Sequence, residues 1–551
     1  MKKILLLSLI LFTFLSCKTT KEVISTQTKT PFVWENANVY FLVTDRFLDG
    51  NPNNNKIIKR DKPTAKLRGF EGGDIRGVIQ KLDEGYFTDL GITAIWMTPI
   101  VEQIHGSVDE GTGNTYGFHG YWAKDWTALD PSYGTREDLA ELVEKAHAKG
   151  IRIMLDAVIN HTGHATEFDE KYPDDWVRSS PNCTYNSYQN NIECTLVTGL
   201  FDVKTESNQA VELPQLLVEK WKKEGRYEQE IAELDAFFAR TGYPRAPKYY
   251  IMKWLADYIL DFGIDAYRVD TVKHTTEDVW ADFSKICKES FEMYKQKNTS
   301  KVLDTNTFYM IGELYGYGIS GKKIYDFGDK KVNYFTNGFD ALINFDFKGD
   351  ANSKPSELFK KYNEILQADL KGFSVMNYAT SHDDGWPFDK KREKTYEAAT
   401  KLLLTPGIAQ VYYGDETARS LEIEGTTGDA TLRSRMNWDD LQNNPETQNL
   451  LKHYQKLGQF RANHPAVGAG THTQLSEKPY ICSRVYTHDT YTDTIMIGLD
   501  LPIGLKEISV KDIFTENTIV TDYYSGKKAT VTNGKITIDS SFGMVLLGIK
   551  R

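Results

Sequence analysis

The sequence predicts an α/β protein: a (β/α)8 TIM barrel with a subdomain inserted after the third strand and a C-terminal antiparallel β-sandwich domain. Eight short apolar runs alternate with helical patterns through most of the chain, which is typical of βα units. Four of these runs end in acidic residues or histidine, and a (β/α)8 barrel assembles its active site at the C-terminal ends of its strands. From about Asn463 onward, short alternating runs predict antiparallel strands.

The eight predicted barrel strands are short apolar runs. They are Val39–Thr44, Ile92–Met97, Ile151–Asp156, Ile264–Val269, Phe308–Ile311, Ala341–Phe345, Phe373–Asn377 and Ile408–Tyr412. Helical patterns fall between most of them, for example over Arg136–Lys149 and Ile251–Phe262. In the C-terminal region the alternating runs include Ile481–Tyr486 and Thr494–Leu499.

The connection after the third strand, from His161 to about Tyr249, is far too long for a simple loop. It contains two cysteines that lie close in sequence, Cys183 and Cys194, and a charged amphipathic segment, Leu213–Arg240. The spacing of apolar residues in this segment predicts a helix. Whether the insertion shapes the functional site or is only structural stays open.

An arginine and an aspartate end the fourth predicted strand, within Gly263-Ile264-Asp265-Ala266-Tyr267-Arg268-Val269-Asp270. Arg268 and Asp270 are two residues apart, so their side chains share one face of the strand, and Asp265 points to the other face. A cation fixed beside a carboxylate favours the ionised form, and an ionised, held carboxylate suits nucleophilic attack at a sugar carbon. Taken alone, the pair is equally compatible with a structural ion pair.

Acidic residues and histidines also follow three other predicted strands. They are Asp156 and His161 after the third strand, Glu313 after the fifth, and His382, Asp383 and Asp384 after the seventh. The apolar strand before Glu313 predicts partial desolvation, which would raise the pKa of this carboxyl as a general acid requires. These strand ends together predict one site at one end of the barrel.

In this order, the four segments resemble the signature regions of the alpha-amylase family of glycoside hydrolases (family 13). Further matches are Val39-Tyr40-Phe41-Leu42-Val43-Thr44-Asp45-Arg46-Phe47, His119-Gly120-Tyr121-Trp122 and Gly407-Ile408-Ala409-Gln410-Val411-Tyr412-Tyr413-Gly414-Asp415-Glu416. The resemblance implies a retaining glycoside hydrolase that cleaves internal α-1,4-glucosidic bonds of starch, glycogen or maltodextrins. Two alternatives stay open: a cyclodextrin-forming or other α-glucan transglycosylase, and a non-catalytic glycan-binding lipoprotein.

The resemblance also implies a role for each site residue. Asp270 is the expected nucleophile, Glu313 the expected acid/base, and Asp383, rather than the adjacent Asp384, the expected third carboxylate. The expected substrate-binding residues comprise a stacking ring, two hydrogen-bond donors, the arginine of the fourth strand and two residues on the leaving-group side. They are Tyr121, His161, His382, Arg268, Lys273 and His274.

Calcium is the implied cofactor, and it prefers oxygen ligands. One implied site lies between the barrel and the inserted subdomain and uses Asn160, Asp202 and the backbone carbonyl of His274. The other resembles the N-terminal calcium loop of cyclodextrin glucanotransferases. Its ligands would be Asp49, Asn51, Asn54, Asn55, Asp74 and the carbonyl of Gly72. An Asn-rich turn without a metal is the alternative for this second stretch.

The first residues predict export. Lys2 and Lys3 precede an apolar run, Ile4–Leu15, which is followed by Ser16 and Cys17; this order is typical of a bacterial signal peptide with a lipoprotein processing site. An uncleaved anchor is the alternative. A lipidated Cys17 would attach the protein to a membrane in the periplasm or cell envelope.

The predicted domain division follows from these features. It is a signal peptide at 1–16, the lipidated Cys and a polar linker at 17–35, the first part of the barrel at 36–160, the inserted subdomain at 161–249, the second part of the barrel at 250–463 and the C-terminal β domain at 464–551.

Composition bears on partners and on redox compartment. The formal net charge of −10 argues against a nucleic-acid partner, because phosphate binding needs a concentrated basic surface. A neutral glucan imposes no such requirement, and we predict a monomer. Cys183 and Cys194 are candidates for a disulfide in an oxidising compartment, whereas Cys287 and Cys482 are expected to be buried free thiols.

Overall fold

The computed structural model describes residues 30–550, so the predicted signal peptide and Cys17 lie outside the described residues. Eight parallel strands close into a barrel, in which β1 pairs with both β2 and β8. The strands are β1 Asn38–Leu42, β2 Ala94–Met97, β3 Arg152–Ala157, β4 Ala266–Val269, β5 Tyr309–Gly312, β6 Ala341–Asn344, β7 Ser374–Tyr378 and β8 Ile408–Tyr412. All eight predicted strands are confirmed, with no bound shifted by more than two residues.

Long helices cover the outside of the barrel. They are α1 Ile75–Asp83, α2 Arg136–Ala148, α3 Gln215–Glu224, α4 Tyr227–Thr241, α5 Pro247–Phe262, α6 Glu277–Lys297, α7 Pro355–Gln367, α8 Thr395–Leu404 and α9 Pro445–Asn463. Because both faces of each barrel strand are covered, every residue of the eight strands is buried. The apolar runs in the sequence follow from this double burial.

Local sequence signals set where the helices before the site begin and end. A capping box of Thr135 and Asp138 starts α2. Pro247 is in the first turn of α5, and Gly263 ends this helix with φ +72°, a left-handed conformation that glycine adopts without strain. A Cβ at Gly263 would also collide with the Tyr294 ring. The chain therefore turns directly from α5 into β4, the strand that carries Arg268.

The insertion after β3 contains a short strand pair, Val177–Arg178 with Asp202–Val203, and the disulfide Cys183–Cys194, which confirms the predicted bond. The segment Leu213–Arg240 does not form one helix. Gly225 adopts φ +74° between α3 and α4 and ends the first of them.

The two inserted helices pack against the outer surface of the barrel. Trp221 of α3 meets Trp254 of α5 with ring centroids 6.1 Å apart, and Lys253 of α5 binds Glu233 of α4 at 2.9 Å. Most of the helical part of the insertion therefore covers the side of α5. The strand pair and the disulfide loop remain near the strand ends.

The C-terminal region forms antiparallel sheets, as predicted. A six-stranded sheet has the spatial order β9 Thr471–Glu477, β10 Tyr480–His488, β11 Tyr491–Leu499, Val545–Gly548, Ile519–Asp522 and Lys528–Thr530. A two-stranded sheet, Gly504–Ser509 with Lys535–Ser540, encloses a separate apolar core with it, and Met496, Ile508 and Ile536 belong to that core. The opposite face of the larger sheet joins the barrel core through residues such as Ile497.

Two further sequence predictions concern cysteines and membrane spans. Cys287 and Cys482 are buried and unbonded, which confirms the predicted free thiols. Within residues 30–550, no helix has the length and apolar character that a membrane crossing requires.

Candidate active site

Arg268 is the centre of a group of carboxylates at the C-terminal end of the barrel. Its Nη1 donates to Asp156 Oδ1 at 2.9 Å and to Asp270 Oδ1 at 2.8 Å, and its Nη2 lies 3.7 Å from Glu313 Oε2. The guanidinium is fully buried among these groups. As predicted, the side chains of Arg268 and Asp270 lie on the same face of the strand. Asp265, with opposite parity, binds His147 at 2.8 Å on the other face.

A strained residue connects the two proposed catalytic acids. Thr271, immediately after Asp270, has φ +49° and ψ 41°, a left-handed conformation that is costly for a β-branched residue. In this conformation its backbone N–H donates to Glu313 Oε2 at 2.8 Å. The backbone at Val272 donates to the Glu313 carbonyl at 3.0 Å. The position of Glu313 is therefore fixed by the turn that follows Asp270.

Burial controls the protonation of Glu313. Desolvation, joined by the nearby charges of Asp270 and Asp383 and opposed by the attraction of Arg268, raises the pKa of this carboxyl to about 8. Burial first, and then the charge of Asp270, also raise the pKa of Asp156 against Arg268. The sequence-based expectation of a raised pKa for Glu313 agrees with this environment.

Asp383 and Asp384 differ sharply although they are neighbours. The Asp384 side chain is 7% exposed; it accepts a hydrogen bond from the Tyr378 hydroxyl at 2.6 Å and pairs with Lys348. The Asp383 side chain is 39% exposed, and Ser381 donates to it at 3.2 Å. Asp384 is therefore occupied in holding the loop, and Asp383 is the more exposed of the two carboxylates.

Tyr121, His161 and His382 lie beside these carboxylates. The Tyr121 hydroxyl donates to Asp156 Oδ2 at 2.9 Å, and its ring is stacked on His382 with centroids 5.4 Å apart. His161 Nε2 donates to the Tyr121 carbonyl at 3.0 Å, and burial lowers the pKa of its imidazole. The neutral ring therefore presents Nδ1 as an acceptor. This differs from the expected donation to a sugar by His161.

A cleft of about 370 Å³ opens beside Glu313 on the side where Lys273 and His274 were predicted. Lys273 Nζ lies 5.3 Å from the Tyr185 ring centroid and 5.0 Å from that of Tyr315. His274 is buried; its Nδ1 donates to the carbonyl of Asn191 at 2.6 Å. Both tyrosine rings are more than half exposed, so they present free aromatic faces to this cleft.

For several residues of the site, the sequence predicted no individual role. They are Asp156, Trp96, Tyr185, Tyr315 and Arg433, whose Nε donates to the His382 carbonyl at 2.9 Å. Asp156 had a detectable signal, because β3 and β4 pair with Asp156 opposite Arg268. Tyr315 follows Glu313 by two residues. Tyr185 lies in an aperiodic loop, and nothing in the local sequence distinguishes it.

The N-terminal Asn-rich segment has the donor set of a calcium site. Asp49 Oδ2 lies 2.7 Å from Asn55 Nδ2, and Asp74 accepts four hydrogen bonds, including those from the backbone of Gly50 and Asn51. Asn54 Oδ1 and Asn55 Oδ1 are buried and have no hydrogen-bond partner among the described residues. Gly72, with φ +95°, approaches so closely that a Cβ would collide with both Asn55 and Asp49. These orphaned oxygens fit a bound cation.

The second predicted calcium site fits less well. Asp202 is buried and adjoins the Asn160 segment, since the Val203 N–H donates to the Asn160 carbonyl at 2.8 Å. However, Arg178 Nε already lies 2.8 Å from Asp202 Oδ2, and its Nη2 donates to Glu206 at 2.5 Å. A guanidinium therefore lies beside the carboxylate that was expected to bind Ca2+, although burial still raises the pKa of this carboxyl and both of its oxygens lack a hydrogen-bond partner among the described residues. The third expected ligand is the backbone carbonyl of His274, whose imidazole lies beside the disulfide.

Comparison with known proteins agrees with this geometry. A family model described as "Alpha amylase, catalytic domain" matches residues 41–455. The periplasmic alpha-amylase of Escherichia coli (strain K12) is 34% identical over 508 residues, covering 82% of this chain and 70% of that protein. A cyclomaltodextrin glucanotransferase of Geobacillus stearothermophilus is 27% identical over 491 residues, covering 87% of this chain and 61% of that protein.

Solved structures share the fold. The chain aligns with a cyclomaltodextrin glucanotransferase described as having a three-domain ABC distribution, with a TM-score of 0.64 and 20% identity, covering 94% of this chain and 99% of that one. The likeness at this identity concerns the fold alone.

Proposed function

Because the chain belongs to the alpha-amylase family of glycoside hydrolases, we propose that it hydrolyses internal α-1,4-glucosidic bonds of starch, glycogen or maltodextrins with retention of anomeric configuration. The arrangement of three carboxylates supports this proposal. Asp270 and Glu313 contact the same buried guanidinium, and the exposed Asp383 lies within electrostatic reach of Glu313. Their contrasting environments provide a charged nucleophile and a protonated acid in one cleft.

In the first step of the proposed reaction, Asp270 attacks the anomeric carbon while Glu313 gives its proton to the leaving oxygen. Arg268 holds the Asp270 carboxylate through Oδ1. The raised pKa of Glu313 keeps it protonated at neutral pH, as this step requires. In the second step, the ionised Glu313 takes a proton from water, and that water releases the sugar from Asp270.

The surrounding residues would orient the sugar ring. Asp383 would hold hydroxyl groups of the distorted sugar, and Tyr121 would stack on its face. The Arg433–His382 hydrogen bond supports the loop that carries Asp383. Lys273 and His274 would border the leaving group, in the cleft between the two exposed tyrosines.

For calcium we propose one well-matched site and one weaker site. Asp49, Asn51, Asn54, Asn55, Asp74 and the Gly72 carbonyl would hold the ion in the N-terminal loop, which the unpartnered amide oxygens support. Bound there, Ca2+ would supply structural cross-linking and no chemistry. Asn160, Asp202 and the His274 carbonyl remain a candidate set whose charge is already partly met by Arg178.

An α-glucan transglycosylase is the second candidate function, favoured by the aromatic cleft on the leaving-group side, where an acceptor sugar would bind. One of the aligned structures, a cyclomaltodextrin glucanotransferase, is described as having three domains, so a barrel, an insertion and one C-terminal domain are compatible with this function. Product chromatography after incubation with amylose, separating linear from cyclic oligosaccharides, distinguishes the two candidates. A non-catalytic glycan-binding protein is disfavoured, because all three expected acids are present.

Export to the periplasm is supported by the periplasmic relative and by the disulfide. We further propose anchoring through lipidated Cys17 and an otherwise monomeric enzyme. In a bacterial host, the wild type should fractionate with membranes and Cys17→Ala with soluble proteins. Equal distribution of the two proteins would contradict the anchor.

The proposed reaction is tested by Asp270→Asn, assayed by release of reducing sugar from soluble starch. We expect activity to fall by about 10⁴-fold or more, because no carboxylate remains to attack. Asp265→Asn is the matched control, because it changes an aspartate of the same strand segment that points to the other face. Unchanged activity in Asp270→Asn, with normal circular dichroism, would refute the assignment.

A further inference from the structure

The loop after β7 carries an exposed tryptophan close to Asp383. The Phe388 N–H donates to the Ala379 carbonyl at 2.9 Å, so residues 380–387 form a closed loop above the end of β7. Asp383 and Trp386 both lie on this loop. Three residues of fully extended chain span at most about 11 Å, so the Trp386 backbone cannot be farther than this from that of Asp383.

Trp386 is the most exposed of the ten tryptophans, all of which lie within residues 30–550. Eight of the others are buried or nearly so, and Trp438 is partly buried, whereas Trp386 is 83% exposed. A single exposed apolar side chain needs no special explanation. The way in which this residue is held is what distinguishes it.

The backbone beneath Trp386 is fixed by a buried carboxylate. Asp384 Oδ1 accepts the Trp386 N–H at 3.0 Å, and Asp384 Oδ2 accepts the Tyr378 hydroxyl at 2.6 Å and pairs with Lys348. Lys348 follows β6, so the loop is fastened to the segment after β6. A large ring is thus presented to solvent from an ordered support.

A chain of ring contacts connects this loop to the leaving-group cleft. The Phe345 ring lies 5.1 Å from that of Tyr315 and 5.7 Å from that of Tyr378, centroid to centroid. Tyr378 in turn binds Asp384, which holds Trp386. Tyr185 and Tyr315 in the cleft and Trp386 on the connected loop are exposed aromatic residues, at 52%, 57% and 83% exposure.

We propose that Trp386 is a sugar-stacking platform on the leaving-group side of the cleft, where it binds the part of a long α-glucan that extends beyond Tyr315. The proposal rests on the proposed function. An exposed aromatic face offers apolar contact area at low entropic cost, because only two side-chain torsions must be fixed. Trp386 would then determine preference for chain length and leave the chemical step to the acids.

Binding is measured first in the full-length Glu313→Gln protein, which would hold substrate without cleaving it. Iodide quenching of tryptophan fluorescence is recorded with and without maltoheptaose, and repeated in Glu313→Gln/Trp386→Phe. Because the other tryptophans are at most partly exposed, Trp386 should dominate the quenching. Maltoheptaose should protect the single variant from iodide, and most of the protection should vanish in the double variant. Equal protection in both would overturn the proposal.

Steady-state kinetics on a long and a short substrate then test whether Trp386 binds the leaving-group side of the glucan. Trp386→Ala should raise KM for maltoheptaose about tenfold, which is about 1.4 kcal/mol, with kcat nearly unchanged; Trp386→Phe should stay near the wild type. Ile503→Ala is the matched control, because it removes a similarly exposed apolar side chain from the C-terminal domain. Hydrolysis of p-nitrophenyl α-maltoside should be unaffected, since its small leaving group does not extend past Tyr315.

The outcomes separate this inference from the proposed function. An equal loss on both substrates in Trp386→Ala, or an unchanged KM for maltoheptaose, would overturn the leaving-group platform while leaving the hydrolase intact. If the wild type cleaves neither substrate, the proposed function fails, and the quenching experiment still tests whether Trp386 binds glucan.

Discussion

Two ionic clusters in this molecule differ in how cations bind their buried carboxylates. In the first, the carboxylate cluster, Asp156, Asp270 and Glu313 share the Arg268 guanidinium, and Asp383 lies nearby. The second, the anchor cluster, joins the inserted helices to the barrel, and in it both Lys220 and Arg226 bind Asp125. Its other carboxylates are Glu102, Glu224 and Glu230.

The balance of charge has opposite effects on the two clusters. In the anchor cluster, burial of Asp125 is more than offset by the charge and hydrogen bond of Lys220, so the pKa of this carboxyl is lowered. In the carboxylate cluster, burial prevails over Arg268, and the pKa of Glu313 is raised. Two directly bound cations favour the ionised form of Asp125 in a structural cluster, whereas carboxylates that share one guanidinium leave Glu313 protonated and available for acid catalysis.

Among the tests of this comparison, the largest expected effect comes from removing the guanidinium that the carboxylate cluster shares. Arg268→Leu should reduce kcat/KM for starch by about a thousandfold, because the nucleophile loses its fixed donor. The free energy of unfolding should fall by about 3–5 kcal/mol, because the carboxylates are left without a buried partner. Activity within tenfold of the wild type would show that the cluster does not need Arg268.

Removing a cation from the anchor cluster should lower stability and leave activity unchanged. Lys220→Met should lower the free energy of unfolding by about 1–3 kcal/mol, measured by urea denaturation, and leave kcat/KM within about twofold. Lys223→Met, at an exposed position of the same helix, is the control. A loss of activity at normal stability would assign the inserted helices a role in the site.

The third test uses pH. The Glu313 carboxyl binds its proton more tightly in the folded protein, so wild-type stability should fall as pH rises from about 4.5 to about 8. Glu313→Gln removes this group and should gain on the order of 2 kcal/mol over the wild type as pH rises from 5 to 8. Thermal unfolding temperatures at the two pH values measure the gain. A gain that does not change with pH would exclude a buried, protonated Glu313.

The smallest expected effect concerns calcium and extends the comparison to two further regions. A chelator should lower the thermal unfolding temperature by about 2 °C, and Asn55→Ala should remove most of this sensitivity. Asp202→Asn should retain it, because the Arg178 guanidinium lies beside Asp202 where a cation would have to bind. The reverse pattern would place the metal at the interface between barrel and insertion.

The sequence predicted what depends on strand periodicity. The eight barrel strands were identifiable because they are buried on both faces and read as apolar runs, and the relative directions of Asp265, Arg268 and Asp270 followed from alternation. The acids of the site were identifiable because they directly follow such strands.

Features formed by loops and by long-range packing were not predictable in the same way. Arg178 meets Asp202 only through the short strand pair of the insertion, and Tyr185 reaches the cleft on a loop without periodicity. The two helices within 213–240 share one apolar pattern, so a glycine inside it was the sole local sign of the break. The direction of the His161 hydrogen bond depends on a backbone carbonyl forty residues away.

The left-handed backbone at Thr271 has an evolutionary consequence. Glycine would adopt this conformation at about 1–2 kcal/mol lower cost, so a single substitution offers a more heat-resistant fold. It would also loosen the peptide that orients the Glu313 carboxyl. Adaptation to higher temperature at this position would therefore gain thermal stability and lose catalytic activity.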